Sequence, residues 1–478
     1  MQKPIKSKEE HFLDKFIEPE SVAIIGASNN RTGINYHLVA NLINLGFKGR
    51  IYPVNPKEKE IMGLRAYPGV KDIPEAVDLA VIGVSQALAL GILKECIEKG
   101  LERVTVIAGG FSEAGEKGKE EQEQMARIVK ESGIRVIGPN ALSPINVPAN
   151  FCISFHPIKS MKPGGLSLIF QSGLYEPRFH WLLSDFNYRI NKLIDLGNKM
   201  DINEVDALGY LVEDPGTRVI GIHLENIEGD GREFQRLIRE ATARNKRVVL
   251  LKSGRSEAGA RAAASHTGAL VQGSDLVFEG AMRQCGAIRE YNMDEFFNIT
   301  RALERFGDLS LKGNRILLAT FPGGEGVILT DLCEKEGLRL ADVSDTTLQK
   351  LRSVFPPWDI PPNPWDLGLT TQFNSPGDVY ETLLEAAIAD SNVDALAIQL
   401  HPMALRFPKE LMEMLSRAVD AQKPVVLWLP GMESGRHETL EWLEEKQVLV
   451  FPSPENAIRA LSALHRLSIT GNGGHFGP

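Results

Sequence analysis

At 478 residues the chain exceeds the roughly 100 to 200 residues of an ordinary domain, so two to four domains are expected. With 43% hydrophobic and 24% charged residues it is composed like a globular protein, and no apolar run approaches the roughly 20 residues needed to cross a bilayer. A net charge of -9 excludes a general field that gathers nucleic acid, so a phosphate-bearing ligand must be held by local features.

The N-terminal stretch MQKPIKSKEEHFLDKF is charged and lacks the apolar run of a secretory signal, and a cytoplasmic location is expected. From Ser21 to Asn146, short β-branched runs (SVAIIG, RIYPVN, LAVIGV, RVTVIAGG) are each followed by a loop and an amphipathic stretch, the pattern of a parallel sheet covered by helices. A second such series follows MKPGG at Met161: GLSLIF, NKLIDLG, RVIGIHLE and RVVLLKSG. After the helical segment MDEFFNITRALERF a third runs through RILLATF, VDALAIQL, PVVLWLP and VLVFPS. The expected domains are 1–148, 149–310 and 311–470, with 471–478 (GNGGHFGP) a disordered tail. The proline-rich stretch Pro356–Leu369 reads either as a packed loop or as a partner-binding surface built on its tryptophans. Cys96, Cys152, Cys285 and Cys333 are too scattered for a zinc site or a disulfide framework, so buried thiols and no metal site are expected.

In SVAIIGASNNRTG, Gly26 closes the first strand, and Ser28 and Gly33 lie in the loop before a helix, where backbone N–H groups can receive an anion. A dinucleotide site would need G-x-G-x-x-G and an acidic residue closing the second strand. That strand instead ends Tyr52-Pro53-Val54-Asn55-Pro56-Lys57, which disfavours NAD. Lys57 and Arg31 read either as cations for a multiply phosphorylated ligand or as solvated surface charges. Taken together, SVAIIGAS, GFKGRIYPVNPK, AYPGVKDIPEAVDLAVIGV, AGGFSEAGEKG and GPNALSPIN occur in an order and spacing that resembles the CoA-binding domain of NDP-forming acyl-CoA synthetases and succinyl-CoA synthetase. The resemblance implies a Rossmann-like CoA-binding domain followed by two flavodoxin-like ligase domains. It also implies that Gly26, Ala27, Ser28, Asn55, Pro56, Lys57, Val84 and Ser85 line the coenzyme A site, with Asn140 of GPN facing the thioester end.

In KSGRSEAGARAAASHTGALVQGSD, His266 stands among small, turn-tolerant residues that suit a mobile loop tip. Neutral imidazole is a good nucleophile near neutral pH and then a leaving group for the next transfer. KSGRSEAG and Ser265-His266-Thr267-Gly268-Ala269 resemble the loop that bears the phosphorylated histidine of ADP-forming acyl-CoA synthetases. The second ring nitrogen needs a carboxylate partner. Glu225, at the end of VIGIHLEN, is the candidate and resembles the family's strand-end carboxylate; its plainer reading is a solvent-facing strand-end glutamate. Two glycine-bearing helix starts, Gln171-Ser172-Gly173 and Gly323-Gly324-Glu325-Gly326, resemble the family's phosphate-facing helices. The chain departs from the family at Leu174–Trp181, where small residues are usual, and at Glu325, where proline is common. These departures bear on the acid substrate.

The resemblance implies the reversible reaction of acyl-CoA, ADP and phosphate to acid, CoA and ATP. No Walker A motif and no ATP-grasp-like stretch is visible, since Gly118-Lys119 precedes Glu120, so ADP/ATP and Mg2+ are assigned to a separate ATP-grasp β subunit in a heterotetramer. The alternatives are a non-catalytic CoA-sensing protein and, from the near-elbow Gly254-Arg255-Ser256-Glu257-Ala258, a serine hydrolase that lacks the final glycine and an evident triad.

Overall fold

The computed structural model describes residues 11–171, 182–183, 187–267, 274–400, 409–429 and 438–471. Ser172, Gly173, most of the unusual segment after them and the expected tail at 472–478 lie outside the described residues, as does the side chain of His266. Two compact units are present, Met1–Tyr291 and Asn292–Pro478. The first two expected domains share the first unit. The helix Met293–Phe306 lies in the second, where it packs on the last helix.

The first sheet holds β1 (Ser21–Ile25), β2 (Arg50–Val54), β3 (Leu79–Ile82), β4 (Arg103–Val106) and β5 (Arg135–Ile137), all parallel, in the order β2-β1-β3-β4-β5. Alternation along the strands divides its apolar residues between two cores. Val22, Ile24, Leu79 and Val81 face helix α1 (Tyr36–Leu45), while Ala23, Ile25, Ala80 and Ile82 join Ala89, Leu93 and Cys96 of helix α2 (Gln86–Glu98). The second face is closed further by Met125 and Val129 of helix α3 (Glu116–Ser132).

The second sheet adds β6 (Ile145–Asn146), β7 (Phe151–Cys152), β8 (Lys162–Phe170), β9 (Arg189–Asp195), β10 (Val219–Leu224), β11 (Arg247–Lys252) and β12 (Ile288–Glu290) in the order β12-β11-β10-β8-β9-β6-β7. Five strands are parallel, and β6 and β7 close the edge antiparallel. Its helices are α4 (Glu204–Glu213), α5 (Gly231–Ala243), α6 (Glu257–Thr267) and α7 (Asp275–Gln284). Ile169, Ile194, Ile220 and Ile222 belong to the same core as Val22 and Leu38, so the two sheets share one apolar interior.

In the second unit, α8 (Met293–Phe306) precedes a third sheet of β13 (Arg315–Thr320), β14 (Arg339–Leu340), β15 (Trp365–Asp366), β16 (Ala395–Gln399), β17 (Val425–Trp428) and β18 (Val448–Phe451). Its order is β14-β13-β16-β17-β18, with β15 paired to β13. Helix α9 (Gly323–Lys335) follows β13. In the proline-rich stretch Trp365 is fully buried, whereas Trp358 stays half exposed and meets Phe373 edge-on.

In the first two parallel cores the first strand lies between the second and the third, and in the third sheet β13 lies between β14 and β16. The chain thus crosses from one side of that first strand to the other, and a crevice is expected beyond the carboxyl ends of the first and third strands, or of β13 and β16 in the third sheet. The residues just past those ends are Gly26 and Gly83 in the first sheet, Gln171 and Glu225 in the second, and Phe321 and Leu400 in the third.

Candidate active site

The first crevice is open. Gly26 has φ +90, and a Cβ there would lie 2.6 Å from the Gly83 carbonyl oxygen, so two strand ends approach more closely than any side chain allows. Asn35 ties them together: its Nδ2 donates to the carbonyls of Gly26 (3.0 Å) and Gly83 (2.6 Å). The result is a cavity of about 620 Å³ lined by Gly26, Ser28, Asn55, Val84 and Ser85, together with Gly33, Ile34, Asn35, Gly83, Gln86, Ile107, Ala108, Gly109 and Phe155. Helices α1 and α2 both begin at its wall, at Asn35 and Ser85, and neither has a side-chain cap. Both present positive dipole ends to an anion, but at α1 the N–H groups of Tyr36 and His37 already donate to the carbonyls of Gly33 (3.1 Å) and Ile34 (3.3 Å).

Five of the expected coenzyme A residues line this cavity; the others stand differently. Ala27 is buried, and its carbonyl accepts from Asn55 Nδ2 at 2.8 Å. Pro56, Lys57 and Arg31 are exposed and outside the lining. Asn140 does not line it either, but its Oδ1 lies 3.2 Å from where a Gly109 Cβ would stand, at the cavity edge. A cavity of this size holds a drug-sized portion of a ligand. A molecule as long as coenzyme A must extend beyond it across the surface.

The second crevice is bridged by a side chain. Gln171 Oε1 accepts from the backbone N–H groups of Glu225 (2.8 Å) and Asn226 (3.2 Å), and its Nε2 donates to Asn226 Oδ1 (2.7 Å). Its side chain is thus engaged in holding the turn that carries Glu225. Glu225 itself is only 5% exposed, which removes the solvent-facing reading. Behind the turn, Lys199 forms a buried ion pair with Glu204 at 2.8 Å. Burial pushes the Lys199 pKa down, opposed by the carboxylates of Glu204, Glu228 and Glu225.

Strand β11 leaves the sheet beside this turn: Ser253 N–H donates to the Leu224 carbonyl (2.9 Å), and Ser253 Oγ meets His223 Nε2 at 2.6 Å. Lys252, at the strand end, has its pKa lowered by burial and by Arg289 and Arg255 nearby, with Asp275 opposing. From here α6 leads to His266. The expected loop tip is helical, because Ala262, Ala263 and Ala264 are the strongest of helix formers. His266 stands about 14 Å along that helix from its first residue at a rise of about 1.5 Å per residue. Ser256, the central residue of the near-elbow, accepts from Gly259 N–H through Oγ at 3.1 Å and so serves the helix start.

Both crevices lie in one unit and are joined by one segment. A Cβ at Gly197 (φ +55) would lie 2.2 Å from the Pro139 carbonyl oxygen, and Asn198 N–H donates to that same oxygen (2.9 Å). Asn198 Nδ2 donates to Glu113 Oε2 (2.7 Å), whose other oxygen receives Gly110 N–H (2.6 Å), and Asn140 Nδ2 reaches Asn198 Oδ1 at 3.5 Å.

In the second unit, α9 starts at Gly323 and Gly324 with Pro322 at its cap position and no capping side chain, and Gly326 is buried against Pro364 and Thr320. This start is more acidic than a bare anion site. The Asp366 carboxylate closes over Gly323, at 2.5 Å from where a Cβ would stand, and Glu325 follows in the first turn. Burial raises the Glu325 pKa, against the pull of the Trp428 and Gln399 side chains. Among the described residues no cluster of three or more metal-ligating side chains is present, and no helix is long and apolar enough to cross a membrane.

The three sheets coincide with three known families: CoA binding domain over residues 20–144, succinyl-CoA ligase like flavodoxin domain over 163–303, and Ligase-CoA domain over 316–471. The alpha subunit of the ADP-forming acetate–CoA ligase I of Pyrococcus furiosus is 37% identical over 465 residues, covering 95% of this chain and 98% of the relative. The chain belongs to the ADP-forming acyl-CoA ligase alpha subunits. The family also includes longer proteins: the ADP-forming 4-hydroxybutyrate–CoA ligase of Nitrosopumilus maritimus is 32% identical over 95% of this chain, which spans 64% of that relative. Among solved structures, the dinucleotide-forming acetyl-coenzyme A synthetase 1 of Ca. Korarchaeum cryptofilum, in complex with phosphate and ADP, matches with a TM-score of 0.83 and 32% identity over 96% of this chain and 97% of that one.

Family membership makes the chain a ligase component of mixed α/β architecture. Sequence reasoning missed Asn35, Gly83, Asn198, Lys199, Glu204 and Asn226. The signal available for Asn198, Lys199 and Glu204 was a polar, charge-rich segment, DLGNKMDINEVD, at the end of a predicted strand; such a segment reads as a solvated loop until its burial is known.

Proposed function

We propose that this chain is the coenzyme-A-binding, phosphohistidine-carrying subunit of an ADP-forming acyl-CoA synthetase, interconverting acyl-CoA, ADP and phosphate with a carboxylic acid, CoA and ATP. The observation that carries the reading is the linkage of two strand-end sites within one unit: an open crevice with two uncapped helix starts, and a buried carboxylate turn, joined through Asn140 and Asn198. In this reading the cavity from Gly26 to Ser85 holds part of coenzyme A, and Arg31 and Lys57 meet its outlying phosphates. Inorganic phosphate attacks the thioester carbonyl near Asn140, CoA leaves as the thiolate, and an acyl phosphate forms. His266 takes the phosphoryl group, releasing the acid, and passes it to ADP.

Glu225 stabilises the imidazolium that forms on phosphorylation, the role a low-dielectric carboxylate performs best. In this reading the segment Gln171-Ser172-Gly173 and, separately, the helix start at Gly323, Gly324 and Gly326 each serve as a phosphate-binding element. ADP and Mg2+ belong to an ATP-grasp β subunit, the counterpart implied by relatives named alpha subunits, and the assembly is a heterotetramer in the cytoplasm. Retention of His266 and Glu225 supports a catalytic protein over a CoA-sensing one.

The test is reconstitution. With the partner subunit, the chain should form ATP from acetyl-CoA, ADP and phosphate; alone it should bind coenzyme A in a calorimeter and form no ATP. Absence of coenzyme A binding, or binding of NAD in its place, would remove the reading.

A further inference from the structure

We propose that Lys199 and Glu204 are positioning residues for Glu225, a clamp that fixes the carboxylate turn from behind. The inference rests on the reading of Glu225 as the partner of His266. Lys199 Nζ donates to Glu204 Oε2 (2.8 Å) and to the Asn226 carbonyl (2.9 Å). Glu204 Oε1 accepts from the N–H groups of Glu228 and Gly229, both at 2.8 Å. The pair therefore holds the backbone on the far side of the turn, while Gln171 holds residues 225 and 226 from the strand end.

The side chains of Lys199 and Glu204 are 1% and 0% exposed. A buried ion pair adds little net stability over an apolar pair of the same volume, so what this one contributes is specificity of geometry. Each bond the pair makes beyond its own contact goes to the main chain of one turn. Lys199 also has a left-handed backbone (φ 55), which a non-glycine residue adopts at a penalty. The segment that carries it presses on Pro139 and Asn140, so the turn bearing Glu225 and the expected thioester end share one anchor.

The experiment is a double-mutant cycle in the reconstituted enzyme. Glu204→Gln keeps an oxygen for Glu228 and Gly229 but removes the charge opposite Lys199; Lys199→Met removes the donor to Asn226. Each should lower kcat on the order of 10-fold to 100-fold, the scale for groups that orient a functional side chain, with KM for coenzyme A unchanged. Each should also shorten the lifetime of phosphorylated His266. In a Glu225→Gln background neither should lower kcat further, because the group they position is already disabled. Losses that multiply with a slow Glu225→Gln would overturn the positioning role and leave the functional reading standing. Full activity of Glu225→Gln would instead overturn the reading on which the inference rests. Unchanged kcat in both clamp variants also overturns the inference. Should Lys199→Met prove unfolded by circular dichroism, the isosteric Glu204→Gln alone carries the cycle.

Discussion

The parallel strands of the first and second sheets follow the same order, yet one crevice holds an open cavity and the other is bridged by a side chain. In the first, Gly26 and Gly83 leave a cavity bordered by two uncapped helix starts. In the second, Gln171 reaches across to Glu225 and Asn226, and Lys199 and Glu204 close the far side. The topology supplies a place where functional groups converge. The residue after the first strand decides whether that place admits a ligand or orders a side chain. The third sheet takes neither course. Gln399 accepts from Phe321 N–H, and Asp366 lies against the helix start.

The comparison breaks most sharply if the two residues are exchanged. Gly26→Gln places a Cβ within 2.6 Å of a backbone oxygen at φ +90. Strain and overlap should cost about 3 kcal/mol or more and abolish the heat of coenzyme A binding. The reverse change, Gln171→Gly, strands the buried N–H groups of Glu225 and Asn226 and the Asn226 amide oxygen. It should cost about 2 to 3 kcal/mol and lower the melting temperature by on the order of 5 to 10 °C, with coenzyme A affinity nearly unchanged. Asn35→Ala removes the tie between Gly26 and Gly83 beside an open cavity, where water can replace it. A loss of about 1 kcal/mol and a several-fold weaker coenzyme A complex are expected by calorimetry. Lys57→Ala sharpens the comparison from outside, because Lys57 is exposed and does not line the cavity. Its effect should be about 2-fold to 5-fold at low ionic strength and vanish as salt screens the contact.

The longer strands were legible because each is a short apolar, β-branched run between turn residues, and SVAII is buried at every position. Arg135–Ile137, Ile145–Asn146, Phe151–Cys152, Ile288–Glu290, Arg339–Leu340 and Trp365–Asp366 were not, because two or three residues carry no periodicity. Gly26, Ser28, Asn55, Val84 and Ser85 were legible because their motifs sit at strand ends, and they line the cavity. Asn35 was not, since a helix-start asparagine normally caps its own helix and this one bonds two strand ends instead. His266 was expected on a loop from the smallness of its neighbours, but small size in alanine favours helix where in glycine it favours turns. Lys199 and Glu204 were hidden for a different reason. Charged residues in a polar segment look solvated, and only the fold brings the pair behind Glu225 at almost no exposure.

The central claim is that this chain carries the phosphoryl group on His266, and labelling of the reconstituted enzyme with γ-labelled ATP tests it most directly. The account predicts label on this chain that is lost in acid and survives base, as a phosphoramidate behaves, and that disappears in His266→Asn while coenzyme A still binds. Label that persists in His266→Asn, or that withstands acid, would contradict it.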